Sequence, residues 1–405
     1  MISERLRQAR LRAGLTQQEV VSRLSEAALN LTKAALSKYE LGRSSPNATL
    51  LVNLARILGV RSDYFLKQPT VNVQWLSFRK QASFARRWQE RIKARAMDIV
   101  EAQVWLYETL HPHDAPNFPK PRNAETAEDA ESAATELRRR WRLDDAPIES
   151  VTQVVEDHGG IVVEHSDPEK EFHGLSGWAN KRYPVTVVNA ASPPDRRRFS
   201  LAHELGHLVM ACGDMQEKQR EKLAQRFAAA FLVPQNMARR ELGDRRRSLS
   251  FEELALLKQK HGLSMMGWML RARDLSIVSD AHFRTLCARF SARGWRKKEP
   301  VEFAGRESPL RLRQMTLRAL EEGIVTPEKA EELCPGYDRE REERQRKHLW
   351  PYISAVEVMK LPQPERDRIL AEAATLAEKD YREDGELTGF DAFGEGDLLD
   401  EPESR

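Results

Sequence analysis

The five residues His203-Glu204-Leu205-Gly206-His207 constrain this chain more than any other feature, because they require a helix. They sit inside Phe199–Met210, an apolar, helix-compatible stretch. On a helix, positions i and i+4 share one face with Cβ atoms about 5–6 Å apart. Both imidazoles can therefore reach one Zn2+ at about 2.0–2.1 Å. Glu204 directly follows His203, beside the ion rather than on it. There it can take a proton from a water whose pKa the metal lowers to about 7. A structural zinc site closes with four ligands, whereas a catalytic one uses three and keeps the fourth position open. The next predicted helix, Gln216–Leu232, offers two candidates for the third ligand: Glu221 and, one turn earlier on the same face, Glu217.

Around this motif the chain divides by composition. Residues 1–70 hold 11 Lys/Arg against 5 Asp/Glu, whereas residues 380–405 hold 10 Asp/Glu against 2 Lys/Arg, so the net charge of +3 conceals a basic head and an acidic tail. Such asymmetry points to nucleic acid at the basic end. No run approaches the roughly 20 apolar residues of a membrane span, and the charged start MISERLRQARLRAG is no secretory signal. Cys212, Cys287 and Cys334 are scattered and form no CxxC, which fits reduced thiols in a cytoplasm.

Short helices are predicted at the start. Leu6, Ala9 and Ala13 recur at helical spacing before Gly14. Thr16 opens a second helix in a capping box with Glu19, a third spans Thr32–Leu41, and a fourth runs Leu50–Leu58 to Gly59. Residues 78–110 contain no Gly or Pro and read as one long helix, followed by four prolines between Pro112 and Pro121 that mark a linker. Helices are then expected over Ala127–Trp141 and Ile148–His158, strands over Ile161–Val163 and Pro184–Val188, and helices over Arg196–Ala211, Ser250–His261 and Ser264–Asp274. Residues 275–335 continue as helices, 340–380 read as charged exposed helices, and the last 25 residues as a disordered acidic tail.

RRFSLAHELGHLV, the following E-x-x-A-x-x-F-A-x-x-F-L-x-P and the upstream GLSGWANKRYPVTVVN resemble the ImmA/IrrE family of zinc metallopeptidases over about residues 125–275. The resemblance implies a small α+β zincin-like domain with His203, His207 and Glu221 as zinc ligands and Glu204 as catalytic base. It also implies site-specific cleavage of a partner repressor. The chain departs from the family's usual pattern at Leu223 and Gln225, where Glu and Asn are common, and at His173, where Asp is common; His173 is then either an oxyanion donor or structural, and we favour structural.

Residues 3–66, through Leu15-Thr16-Gln17, Leu36-Ser37-Lys38-Tyr39-Glu40-Leu41-Gly42-Arg43, Pro46 and Leu54-Ala55, resemble the XRE, phage-repressor-like helix-turn-helix family. That implies an all-α module whose second motif helix enters the major groove. Thr32, Lys33, Lys38 and Arg43 are then candidate DNA contacts, and Gln17 and Gln18 candidate phosphate donors at a helix N-terminus. Ala34 and Leu36 are expected in the core. The connection SEAALNL is a residue longer than usual for the motif.

The expected architecture is multidomain and mainly α: a helix-turn-helix at 1–68, a long helix and Pro-rich linker at 69–124, and the zincin-like domain at 125–275. A helical regulatory region (276–338), a charged helical extension (339–380) and an acidic tail (381–405) follow. The expected function is a cytoplasmic transcriptional regulator that binds double-stranded operator DNA, with a homodimer as its candidate assembly, and uses Zn2+ to cleave a protein such as a repressor. Two alternatives use the same residues differently. One is a non-enzymatic antitoxin-like repressor whose tail, with Phe390 and Phe393, resembles type II antitoxin tails and binds a toxin. The other is a sensor whose peptidase fold binds a small effector.

Overall fold

The structure is a computed structural model that describes residues 2–80, 86–114, 116–166, 172–337 and 355–383. It is mostly helical with a small mixed sheet.

Four helices open the chain: α1 (Ile2–Ala13), α2 (Gln17–Glu26), α3 (Lys33–Glu40) and α4 (Ala48–Leu58). Each boundary is set by local chemistry. The Thr16 hydroxyl accepts from the Glu19 amide while the Glu19 carboxylate accepts from the Thr16 amide, the reciprocal cap expected from the sequence. Thr32 and Asn47 cap α3 and α4 in the same way, and Gly59 ends α4 in the left-handed conformation. Leu6, Val20, Leu24, Leu36, Leu54 and Phe65 fill the core. Leu36 is buried as expected, but Ala34 is exposed, which corrects its assignment to the core. The single inward position per turn of the eight-residue α3 is taken by Leu36, two residues on.

This helical module docks on α5 (Arg86–Leu110) through a polar clasp. Arg5, almost fully buried on α1, donates both terminal nitrogens to the Glu101 carboxylate at 2.7 Å. Its remaining donors meet the Lys67 and Gln68 carbonyls at 3.1 and 2.9 Å. Asp98, one turn earlier on α5, receives Gln8 and Tyr64 and pairs with Arg12.

The segment preceding α5 overturns one expectation. Residues 78–80 do not begin a long helix; they complete β1 (Val73–Lys80), and α5 starts only at Arg86. Burial alternates over 71–76, with Val71 and Val73 inward and Asn72, Gln74 and Leu76 outward, the period of a strand. Its partner lies a hundred residues downstream, so the absence of local helix breakers decided nothing.

The sheet contains β1, β3 (Ile161–His165), β4 (Phe172–Ala179) and β5 (Tyr183–Asn189) in the order β1-β4-β5-β3. β4 runs antiparallel to both β1 and β5, and β3 parallel to β5. One face, with Ile161, Val163, Leu175, Val185 and Val187, packs on Ile92, Ala96, Val100 and Val104 of α5. On the other lie α6 (Ala127–Arg140), α7 (Val151–Asp157), α8 (Pro194–Val209) and α9 (Glu217–Leu232), whose shared core includes Val162, Val188, Leu205, Phe227 and Phe231. The proline-rich stretch between α5 and α6 ends in a two-residue strand, β2 (Arg122–Asn123), parallel to β6 (Met210–Ala211). The three cysteines are free thiols.

Beyond α10 (Gln235–Leu242), α11 (Phe251–His261), α12 (Met265–Asp274) and α13 (Asp280–Ala292), the chain returns as a strap that ends in α14 (Arg311–Glu321) and α15 (Pro327–Leu333). Three carboxylates sew it down. Glu299 accepts from the Met265 and Met266 amides at the start of α12 and from buried Lys258 at 2.9 Å. Glu307 accepts from the Val151 and Thr152 amides at the start of α7. In return Glu156, within α7, accepts from the Leu310 and Arg311 amides at the start of α14. A carboxylate at a helix N-terminus satisfies orphan donors and complements the dipole.

Burial pushes the Glu156 carboxyl up to about 7, against the lowering effect of those two amides. The folded chain thus keeps a proton that the unfolded chain releases near 4.5. The stability this contributes is fully present below pH 4.5 and is lost as pH rises through about 7. At roughly 1.4 kcal/mol per pH unit it amounts to about 3 kcal/mol. Urea denaturation of Glu156→Gln should lack this loss between pH 5 and 8, and an unchanged pH slope would refute the assignment.

Residues 338–405 form a second unit, of which α16 (Ala355–Lys360) and α17 (Gln363–Glu383) are described. The acidic tail beyond 383, with Phe390 and Phe393, lies outside the described residues.

Candidate metal centre

α8 brings His203 and His207 to one side, one turn apart, and α9 carries Glu221 across from them. The Nε2 atoms of the two histidines are 3.2 Å apart. Each is also 3.2 Å from a different Glu221 oxygen, His203 from Oε2 and His207 from Oε1. Three donors on a zinc tetrahedron with bonds of about 2.0–2.1 Å would be separated by roughly 3.3 Å. The arrangement therefore fits the ion without rearrangement, and the donor set of two imidazoles and one carboxylate suits zinc chemistry. His203 is fully buried, whereas the side chains of His207 and Glu221 remain 11% and 26% exposed, so the centre opens to solvent on one side. Burial raises the Glu221 carboxyl, but hydrogen bonds from both histidines and their charge outweigh it and hold the group far below the usual carboxylate range. Glu217, the rival candidate, is exposed at the start of α9 and is not part of the cluster.

Glu204 points away from solvent into the interface of α8 with β4. The Ser176 hydroxyl donates to its Oε2 at 2.7 Å, and both residues are fully buried. A Cβ on Gly174 would collide with the Glu204 side chain, so any larger residue there would force the carboxylate to move. Ser176 and Gly174 were not singled out from the sequence. The signal was a polar residue among glycines in an apolar strand, Gly174-Leu175-Ser176-Gly177, whose inward-facing hydroxyl requires a buried acceptor. Of the positions that depart from the family pattern, Leu223 packs in the core and Gln225 is exposed. The His173 side chain lies outside the described residues.

In the N-terminal module, Gln18, Thr32, Lys33, Lys38 and Arg43 are all exposed. Thr32 is also the N-cap of α3, and the half-buried Gln17 donates its amide to Glu40 at 2.9 Å. Glu40 in turn pairs with Arg10, which fixes α3 against α1. Docking on α5 uses α1 and Tyr64, so the exposed positions of α3 stay uncovered among the described residues.

The chain thus joins an N-terminal four-helix module to an α+β domain that holds a cluster of two histidines and one glutamate. Comparison with known families agrees with both halves. Residues 155–266 match the IrrE N-terminal-like domain of peptidase family M78, and residues 6–65 match the helix-turn-helix family. Over 67 residues the chain is 39% identical to the uncharacterized HTH-type transcriptional regulator YqaE of Bacillus subtilis (strain 168) and 36% identical to the SPbeta prophage-derived uncharacterized HTH-type transcriptional regulator YonR of the same strain. Each match covers 16% of this chain, which spans about half the length of these relatives, 53% and 57%. Among the described residues no helix is long and apolar enough to cross a membrane.

Proposed function

We propose that this chain is a DNA-binding transcriptional regulator with a zinc-dependent peptidase domain that cuts a partner regulator. The observation that carries the reading is the triangle of His203, His207 and Glu221 at 3.2 Å, with Glu204 on the same helix. Bound there, zinc would polarise the scissile carbonyl and acidify water. Glu204, oriented by Ser176, takes the proton from the attacking water and delivers it to the leaving amine. The flanks of Gly174 and Ser176 keep bulk solvent from the carboxylate, and the open side at His207 and Glu221 admits the substrate.

The test is incubation of zinc-loaded full-length protein with the products of adjacent genes. Cleavage at a single position that a chelator abolishes supports the reading, and cleavage that survives zinc removal overturns it.

Regulation requires DNA, and Lys33 and Lys38 are exposed on α3. If each contacts a phosphate, Lys33→Ala and Lys38→Ala should each weaken binding to a duplex uniformly across sequences. Each should also reduce the slope of log K against log salt by about 1. Fluorescence anisotropy across a salt series reads both effects, and unchanged slopes would remove these lysines from the interface.

A further inference from the structure

The strand beside Glu204 pairs with a neighbour from outside the residues that match the peptidase family. β3, β4, β5, α8 and α9 all lie within the matched residues 155–266, whereas β1 comes from the segment that joins the helix-turn-helix to α5. Without β1, the outer edge of β4 would be a row of unpaired backbone groups next to Gly174 and Ser176, the residues that contact Glu204. Such an edge takes an extended polypeptide as an added strand. Here β1 fills it, antiparallel.

The pairing is uneven along its length. Val73, Gln74 and Trp75 pair in regular register with Ala179, Trp178 and Gly177. That end is pinned, because the Asn72 amide donates to Asn180 Oδ1 at 2.9 Å and the Asn180 amide donates back to the Asn72 carbonyl. Gly177 permits the close approach: a Cβ there would lie 2.6 Å from the Gln74 carbonyl oxygen. Beyond Trp75 the register shifts twice, between Trp75 and Ser77 and between Arg79 and Lys80. The interrupted half is the half opposite Ser176 and Gly174, since Ser77 pairs with Ser176 and Arg79 with Gly174. Register breaks leave ladder groups unpaired and weaken the strand locally.

We propose that the β4 edge is the docking line for an extended segment of the protein substrate, laid antiparallel beside Glu204, and that residues 77–80 of β1 are a resident stand-in which must peel away for that segment to enter. The proposal rests on the peptidase reading above. It deepens that reading by naming the form of the substrate, an extended strand-forming segment, and the contact that withholds the site.

The probe is a fluorescent synthetic peptide of residues 71–80, VNVQWLSFRK, added to the zinc-loaded full-length protein. Two variants release the resident strand from opposite sides. Ser77→Pro fixes the backbone and removes an N–H at the first paired residue after the register break, without touching β4. Gly177→Val drives a side chain into the Gln74 carbonyl. Each should bind the peptide at least tenfold more tightly than the unaltered protein, with slowed amide hydrogen exchange over 174–179 in the complex. Each should also cut the partner protein faster. Equal peptide affinity in the unaltered protein and both variants, or binding that leaves 174–179 unprotected, overturns the proposal. If the variants cut no faster, β1 is no gate although the peptidase reading stands. If the variants bind the peptide but no form cuts any protein, the peptidase reading fails while the docking line survives. Should one variant not fold, the other carries the comparison.

Discussion

Glu204→Gln is expected to lower peptide-bond cleavage by about 10²–10⁴-fold, the usual contribution of a general base, while leaving one zinc per chain. The two outcomes separate because Glu204 is not in the ligand triangle. The candidate ligand atoms belong to His203, His207 and Glu221. Glutamine is isosteric with glutamate, fits under Gly174, and still accepts the Ser176 hydroxyl through its carbonyl oxygen. What it cannot do is take a proton. Glu221→Ala should give the opposite pattern, with metal lost along with activity, because two imidazoles alone leave the ion short of a ligand. Metal content by mass spectrometry and cleavage on gels, measured on the same samples, decide the matter. Undiminished cleavage by Glu204→Gln would remove Glu204 from the chemistry.

The largest stability effect is expected outside the candidate metal cluster, at Glu307. Its carboxylate caps α7 through the Val151 and Thr152 amides, receives the Thr152 hydroxyl at 2.9 Å, and faces Arg198 Nε at 3.6 Å. Both members of the pair are only 1% exposed. Burial pulls the Arg198 guanidinium below its ordinary value, partly offset by Glu307 and Asp195. Glu307→Ala therefore strands a buried cation, a change that costs about 3–5 kcal/mol. In a domain of this size each kcal/mol lowers Tm by roughly 2–4 °C, so a drop of about 10 °C is expected by calorimetry. Lys298→Ala, which breaks the exposed Lys298–Glu302 pair, should leave Tm unmoved, since a pair so open to water contributes little. Equal shifts in the two variants would refute the argument.

The legible parts of this molecule were those encoded within a few residues. Thr16 and Glu19 announce a helix start whatever surrounds them, and His203 and His207 need only one helical turn to meet. Glu221 could not be separated from Glu217 by spacing alone. The choice depends on how α9 rotates against α8, which the burial of Leu223, Ala224 and Phe227 fixes. β1 was misread because its partner lies about a hundred residues away. The capping roles of Glu156, Glu299 and Glu307 are not legible in the sequence, since nothing nearby shows that helix N-termini from other parts of the chain come to meet them. The exposure of Ala34 follows from the same limitation, because a short helix offers too few turns to fix its inward face from pattern alone.

The reciprocal capping of α7 and α14 separates inheritance from cohesion. The family match ends at 266, yet the amides that open α7 are satisfied by residue 307, and those that open α14 by residue 156. A chain cut after residue 266 would lose Glu299 and Glu307 together. The starts of α7 and α12 would lose their carboxylate acceptors, Arg198 would lose Glu307, and Lys258 would keep only Asp195. The contacts that hold α7, α8 and α12 thus reach beyond the matched residues, and proteolytic loss of the strap is expected to loosen α8, the helix that carries His203 and His207, without cutting a residue of the cluster.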